Sequence, residues 1–274
     1  MVPLLKLSVL KNFFKVLSTI IGVLVIGLIL VECEFSPKQT PPKKELLIYC
    51  GITMIAPMLE IADIIEEQED CKITITKGGS GNLLNSIYHN KTGDLYLPGS
   101  CKYYTMIEDK QPDLVLEKVT VGHNVAVMMV QKGNPKNITS DLSNMTDRDL
   151  VVEIGNPESG SIGKETKKIL QAYGNFEDVV INAIRFTTDS KELLNALKSK
   201  ELDLVINWYA TYTWGDNSDY LDVIKIDSTY AHVNHLELSI LKYSKYPDIA
   251  KAFMTYASSE KGKDIFKKYG LYFD

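Results

Sequence analysis

The chain has 274 residues, of which 45% are hydrophobic and 24% are charged, and its formal net charge is −5. This composition indicates an ordinary globular protein, and the acidic balance, with no basic run, argues against a nucleic-acid-binding surface. Arg148 and Arg185 are its only arginines, which disfavours a ligand site built on bidentate arginine clamps.

The first 33 residues have the pattern of an export signal or a membrane anchor. An uncharged run, Val16–Val31, follows three lysines, Lys6, Lys11 and Lys15. A positive flank before an apolar core is typical of such segments. At about 1.5 Å per residue the run spans about 24 Å, which is marginal for a hydrocarbon core of about 30 Å.

Cys33 stands in a context that resembles the lipid-attachment site of bacterial lipoproteins, although Glu32 replaces the small residue that usually precedes it. Lipidation at Cys33 and an uncleaved anchor both remain open, and either predicts a body tethered to the membrane outside the cytoplasm. The next residues, 34–44, contain three prolines among polar residues and predict an extended tether.

The folded body begins near Glu45 with two strand–turn–helix units. A strand over 46–50 precedes Thr53, which we expect to be the N-cap of a helix over 54–69. A strand over 72–76 precedes Gly78-Gly79-Ser80-Gly81, with Ser80 at or near the cap of a helix over 82–89. A third strand covers 94–97. This alternation predicts a parallel sheet, in which ligands bind beyond the carboxyl ends of the strands.

A long apolar run, 119–130, leads into a second series of units, and Asp141 is expected to cap a short helix. A strand over 150–154 then ends in the turn Gly155-Asn-Pro-Glu-Ser-Gly-Ser161, and a helical pattern starts at about Ile162. The first amides of a helix have no intrahelical partner, so this glycine-rich turn predicts an anion site. It is not a nucleotide P-loop, since Glu158 replaces the first glycine of that motif.

The remaining pattern predicts a strand over 181–186, a helix over 191–200 and a strand over 203–206 that ends at Asn207. A second long apolar run, 235–241, precedes two helices at 247–256 and 259–269. The two long runs suit two crossings between lobes. The predicted organisation is therefore a signal or anchor (1–33), a tether (34–44), lobe 1 (45–124 plus 236–274) and lobe 2 (125–235).

Five segments together resemble the molybdate-binding family of ABC-importer solute-binding proteins. They are residues 48–62, Gly93-Asp-Leu-Tyr-Leu97, Gly155-Asn-Pro157, Asp203-Leu-Val-Ile206 and Phe266-Lys-Lys-Tyr-Gly270. The resemblance covers residues 45–274 and implies an α/β, two-lobed type II periplasmic-binding-protein architecture. Each lobe would be a mostly parallel sheet flanked by helices, with two hinge crossings. It also implies a monomer that is not an enzyme, needs no cofactor and delivers its ligand to an ABC permease.

In that family a small oxyanion lies between the lobes and is held by hydroxyls and helix amides without a counter-cation. The resemblance places the lobe 1 hydroxyls at Thr53 and Ser80 and the lobe 2 amides at Ser161 and Ile162. The family's tyrosine falls on Asn207, a departure that leaves the anion open. We expect molybdate or tungstate before sulfate, phosphate or a small organic anion; an enzyme or a sensory module on the same scaffold is the alternative.

The histidines and cysteines favour neither a metal site nor a catalytic one. His232 and His235 are three apart at the entrance to a predicted strand, where that spacing places them on opposite faces. A cysteine nucleophile beside His123 would lack an identifiable oriented base. Cys50 and Cys101 follow the carboxyl ends of the first and third strands, which are neighbours in the expected order 2-1-3. A disulfide between them therefore remains open.

Overall fold

The computed structural model describes Lys15 and residues 44–271, and Lys43–Asp274 is one compact unit. Apart from Lys15 and Lys44, the predicted signal or anchor with its lipid-attachment site at Cys33, and the predicted tether, lie outside the described residues. In the described part of the chain, no helix has both the length and the apolar character that crossing a membrane requires.

The first sheet has the strand order β2-β1-β3-β10-β4. Its strands are β1 (Lys44–Gly51), β2 (Cys71–Gly78), β3 (Leu95–Leu97), β4 (Val115–Asn124) and β10 (Asn234–Leu241). β1 pairs in parallel with β2 and β3, so the expected order 2-1-3 is confirmed. β10 runs antiparallel to both β3 and β4. We call this sheet and the helices packed on it lobe 1.

The second sheet has the order β7-β6-β8-β5-β9. Its strands are β5 (Ala126–Gln131), β6 (Val152–Gly155), β7 (Phe186–Thr187), β8 (Leu204–Trp208) and β9 (Leu221–Ile224). β6 pairs in parallel with β7 and β8, whereas β5 runs antiparallel to β8 and β9. This sheet and its helices are lobe 2. Both sheets are mixed, because the strands that follow or precede the crossings pair antiparallel.

Helices cover both faces of the first sheet. On one face lie α1 (Ile55–Glu69), α9 (Pro247–Ser258) and α10 (Glu260–Lys268), whose buried side chains form one hydrophobic cluster with the sheet. On the other face lie α2 (Ser80–Asn90) and α3 (Lys102–Lys110), which form a second cluster. The C-terminal helices therefore return to lobe 1, which completes its core with residues far away in the sequence.

The helices of lobe 2 surround a third hydrophobic cluster that includes both faces of the second sheet. They are α4 (Ser161–Tyr173), α5 (Phe176–Asn182), α6 (Ser190–Lys198), α7 (Tyr209–Tyr212) and α8 (Asn217–Tyr220). A 3-10 helix, Leu142–Thr146, precedes β6, and the Asp141 side chain caps it by accepting a hydrogen bond from the amide of Ser143. This confirms the cap expected at Asp141.

The long apolar run over 119–130 is two strands in two different sheets. β4 ends at Asn124 and β5 begins at Ala126, so that only Val125 lies between them. The amide of Val125 donates to Oδ1 of Asn124 at 3.0 Å, which keeps this backbone group bonded at the crossing. Residues 225–233 form the second crossing, from β9 to β10. The exact lobe boundaries remain a prediction.

Two predicted local structures are wrong. Thr53 is not an N-cap: it lies within a 3-10 helix, Ile52–Met54, and α1 begins only at Ile55. In the segment 181–186, which was expected to be a strand, the first two residues are the end of α5, residues 183–185 are in neither a helix nor a strand, and only Phe186–Thr187 is extended. Acidic residues in the first turn favour a helix start after residue 175, and the apolar side chains of the expected strand are largely exposed, with Ile181 76% exposed.

The Cys50–Cys101 disulfide is not formed, and Cys50, Cys71 and Cys101 are free thiols. Cys50 is fully buried in the core of lobe 1 and its thiol donates to the carbonyl oxygen of Gly51 at 3.4 Å. Cys101 lies on the surface turn that enters α3 and is half-buried. Neighbouring strands are therefore not sufficient for pairing here, because the turn after β3 separates the two positions.

Candidate functional site

A small cavity lies between the lobes, and the centre of a water molecule can occupy about 10 Å³ of it. Its lining comes from the first residues of four helices, namely the 3-10 helix Ile52–Met54 and α2 of lobe 1, and α4 and α6 of lobe 2, together with the end of β8. Each of these four helices follows the carboxyl end of a parallel strand, namely β1, β2, β6 and β7 in turn. The site therefore lies where ligands bind in α/β sheets.

Three of the four helices begin after a glycine. Gly51, Gly79 and Gly160 are the N-cap residues of the 3-10 helix, α2 and α4, and none of these caps bonds the first amides through a side chain. The helix dipole adds positive potential at the same place. By contrast, α6 is capped by Asp189, whose Oδ1 accepts from two of its amides at 2.8 and 3.2 Å.

Two serine hydroxyls are held so that they can donate into the cavity. The Oγ of Ser80 accepts a hydrogen bond from the amide of Gly99 at 2.9 Å. The Oγ of Ser161 accepts one from the indole nitrogen Nε1 of Trp208 at 3.1 Å. Both serines are buried and line the cavity. Because an N–H group already occupies a lone pair of each oxygen, the hydroxyl proton remains free to donate to an acceptor.

Thr53 and Ile162 line the same cavity and are also buried. The hydroxyl of Thr53 donates to the thioether sulfur of Met54 at 2.7 Å. A thioether is a weak acceptor, so an anion would compete successfully for this proton. Ile162 is the second residue of α4, and its backbone amide is therefore one of those without an intrahelical partner.

Asn207 is not among the residues that line the cavity. It is fully buried, its Nδ2 donates to the carbonyl oxygen of Ser190 at 2.9 Å, and its Oδ1 accepts from the amide of Trp208 at 2.9 Å. Ser190 and Trp208 do line the cavity. The structure thus brings together Thr53, Ser80, Ser161 and Ile162, and places Asn207 behind them as a support.

The lining residues that the sequence-based prediction did not select include Asp189, Ser190 and Trp208. The pair Asp189-Ser190 follows β7 and opens α6, which is the pattern that identified Ser80. The sequence analysis did predict a strand before this turn and a helix after it, but it selected no ligand-binding residue from the turn. Trp208 contacts Ser161 from 47 residues away, so no local pattern reveals it.

The cavity is lined mainly by uncharged hydrogen-bond donors. None of the described residues that line it is a lysine, arginine or histidine, and its single ionisable residue is Asp189. Hydroxyls and amides can satisfy the oxygen atoms of an anion without a counter-cation, as the glycine-capped helix ends suggest. The arrangement is therefore suited to binding an anion that presents acceptors.

Within the described part of the chain, no group of three or more His, Cys, Asp and Glu residues could hold a metal ion. His123 and His235 face each other across β4 and β10, with their ring centroids 5.0 Å apart and the rings edge to face. Burial, and to a lesser degree the neighbouring His235, lower the pKa of His123. We therefore interpret this pair as a contact between two neighbouring strands close to the crossing between the lobes.

The chain is similar in sequence to known binding proteins. A family model described as Bacterial extracellular solute-binding protein matches residues 46–272. A protein of Haemophilus influenzae that is named as a binding protein is 25% identical over 228 residues, which cover 83% of this chain and 90% of that protein.

Solved structures share the fold. The substrate-binding domain assigned to a molybdenum ABC transporter of Clostridium difficile has 22% identity and a TM-score of 0.60, covering 85% of this chain and 100% of that one. The periplasmic molybdate-binding protein of Azotobacter vinelandii has 14% identity and a TM-score of 0.69, with 84% and 99% covered. The fructose-6-phosphate-bound protein AfuA of Actinobacillus pleuropneumoniae has 18% identity and a TM-score of 0.70, with 84% of each chain covered. The expected two-lobed α/β architecture is confirmed.

Proposed function

The chain belongs to the bacterial extracellular solute-binding proteins, and we propose that it binds a small oxyanion between its lobes and delivers it to the permease of an ABC importer. The observation that carries this proposal is the meeting of three glycine-capped helix starts around one cavity whose lining includes no cationic side chain among the described residues. Such an arrangement presents hydrogen-bond donors, which suit an anion.

The donors of the proposed site are the hydroxyls of Thr53, Ser80 and Ser161 and the backbone amides at Ser161 and Ile162. Hydrogen bonds to a charged group contribute about 1.5–3 kcal/mol each. Four to six of them support micromolar binding, about 8 kcal/mol, after the loss of motion and the desolvation on binding are offset. Asn207 acts indirectly, because its amide holds Ser190 and Trp208 in place.

Molybdate and tungstate are the first candidates for the ligand. A fully ionised tetrahedral dianion presents acceptors alone, and nearly all the lining groups are donors. Two of the structural relatives are described as a molybdate-binding protein and as a domain of a molybdenum transporter. Sulfate, phosphate and small organic anions are the alternatives, since another relative holds fructose-6-phosphate.

We place the protein outside the cytoplasm, in keeping with its family, as a monomer tethered to the membrane. The tether would be residues 34–44, and the attachment would be either lipid on Cys33 or an uncleaved anchor within residues 1–33. Metabolic labelling with a fatty acid, in the wild type and in Cys33→Ser, separates the two. Label lost in the variant indicates a lipoprotein, and no label in either chain indicates the anchor.

Isothermal titration calorimetry tests the ligand assignment. Lys43–Asp274 is titrated with molybdate, tungstate, sulfate, phosphate and small organic anions. Micromolar binding of at least one inorganic oxyanion is expected. If none of the inorganic oxyanions binds, the oxyanion proposal is wrong, although family and fold stand.

A further inference from the structure

Around the cavity the two lobes meet at positions where lobe 1 has no side chain. A Cβ atom on Gly79 would lie 2.5 Å from the carbonyl oxygen of Ser159 and 2.8 Å from that of Thr188, both in lobe 2. A Cβ on Gly99 would clash with the Oγ of Ser161 and lie 3.1 Å from its Cβ. Real Cβ atoms essentially never come within 3.0 Å of another atom. A larger residue at Gly79 would therefore push against the backbone of lobe 2, and one at Gly99 would displace the Ser161 side chain or hold it away from lobe 1.

A hydrogen-bonded contact lies beside these glycines. The carbonyl oxygen of Ser159 in lobe 2 accepts from the amides of Gly81 and Asn82, at 3.0 and 3.3 Å. These are the second and third residues of α2, whose cap Gly79 has no side chain. Lobe 2 therefore supplies the cap that α2 lacks. Of the first three amides of this helix, only that of Ser80 is left for a ligand.

These contacts limit how large the enclosed ligand can be. With the lobes in direct backbone contact the centre of a water molecule can occupy only about 10 Å³ of the cavity, far below the roughly 300–1,000 Å³ that is usual for pockets of drug-sized ligands. A ligand with a bulky ester group would have to keep the lobes apart. The contact between Ser159 and α2 would then be lost, and the ligand would also lose the hydrogen-bond donors of one lobe.

From this geometry we infer that Gly79, Gly81 and Gly99 set a size limit, which restricts the ligand to a bare tetrahedral oxyanion and excludes phosphate esters. The inference rests on the proposed oxyanion function and specifies its ligand class. Gly99 is its most direct element, because it lies between Ser80 of lobe 1 and Ser161 of lobe 2.

The first test is a ligand panel on the full-length chain in mild detergent. Molybdate, tungstate, sulfate and inorganic phosphate are compared with glycerol 3-phosphate and phenyl phosphate by calorimetry. We expect the best inorganic oxyanion to bind at least tenfold more tightly than either ester. An ester that binds as tightly overturns the size limit and leaves anion binding intact, whereas failure of every anion overturns the proposed function and this inference with it.

The second test uses Gly99→Ala. Outside its chain neighbours, the nearest lobe 1 atom to the added methyl group would be Ser80 Oγ at 3.7 Å, which is an ordinary contact, so we expect thermal unfolding of the ligand-free chain to be unchanged. Affinity for the best-binding inorganic oxyanion should fall at least tenfold. Wild-type affinity in a variant that unfolds at the wild-type temperature overturns the inference.

A double-mutant cycle with Ser161→Gly is the matched control. This second substitution removes both atoms that the new methyl group meets, although it also removes a donor. The Gly99→Ala change should therefore cost much less affinity in the Ser161→Gly background than in the wild type. Equal costs in the two backgrounds would show that the methyl group acts elsewhere and would overturn the inference.

Discussion

Replacing Ser80 with alanine separates its two roles in the structure. In the proposed site the hydroxyl donates to the anion, so the loss of this charge-assisted hydrogen bond should weaken binding by about 1–3 kcal/mol, or roughly 5- to 150-fold. The same oxygen accepts from the buried amide of Gly99 at 2.9 Å. That amide would lose its partner, which costs about 1–3 kcal/mol of stability.

The two effects are measured on the same protein by different assays. Calorimetry with the best-binding oxyanion gives the change in affinity, and thermal unfolding without ligand gives the change in stability. A loss of about 1 kcal/mol lowers the melting temperature by roughly 2–4 °C in a body of this size, so the expected decrease is about 2–12 °C.

Ser86→Ala is the matched control for Ser80→Ala. Ser86 lies on the same helix, away from the cavity, and its Oγ donates to the carbonyl oxygen of Asn82 at 3.0 Å. The control should bind the oxyanion normally and change stability by no more than about 0.5 kcal/mol. If Ser80→Ala is less stable yet binds like the wild type, Ser80 only supports Gly99 and its place in the binding site is refuted.

Three further changes test other parts of the structure. Thr53→Ala should weaken oxyanion binding by about 1–3 kcal/mol in calorimetry while leaving the melting temperature nearly unchanged, since the bond it loses is to a thioether. In thiol labelling of the native body, Cys101 should react first, because burial raises the pKa of Cys50. When Lys43–Asp274 is denatured without reduction, thiol counting should find three free thiols. A count of one would indicate the Cys50–Cys101 disulfide. Burial and His235 lower the pKa of His123 from its ordinary 6.5, so the folded state resists protonation and stability should fall as the pH drops below about 6.5. In acid-unfolding curves, His235→Gln should make stability depend less steeply on pH. An unchanged dependence would show that His235 does not affect His123.

The candidate site was largely predictable because it repeats one local pattern. Thr53, Ser80 and Ser161 each follow a strand and a glycine, and parallel strands bring their carboxyl ends to the same edge. Sequence spacing carries that information without any knowledge of packing. Thr53 lines the cavity even though the expected N-cap is absent, since a 3-10 turn intervenes before α1.

What could not be predicted depends on contacts between distant parts of the chain. The bond between Trp208 and Ser161 joins two strand ends 47 residues apart. The long run over 119–130 looks like one strand in the sequence, because periodicity does not show that its two halves pair in different sheets. The region near Ile181 was expected to be a strand, but Ile181 and Ile184 are exposed, and the helix that contains Ile181 is anchored by Val179, which is buried in lobe 2.

The cap that Ser159 gives to α2 also bears on how long a ligand stays bound. Its two hydrogen bonds to Gly81 and Asn82 join the lobes to each other and not to the anion. They must break before the cleft opens, so they add to the barrier for release whichever anion is inside. Differences in affinity between related complexes arise mainly in the dissociation rate. The residence time of the ligand, and with it the pace of delivery, can therefore be tuned at this contact while the anion-binding groups stay the same.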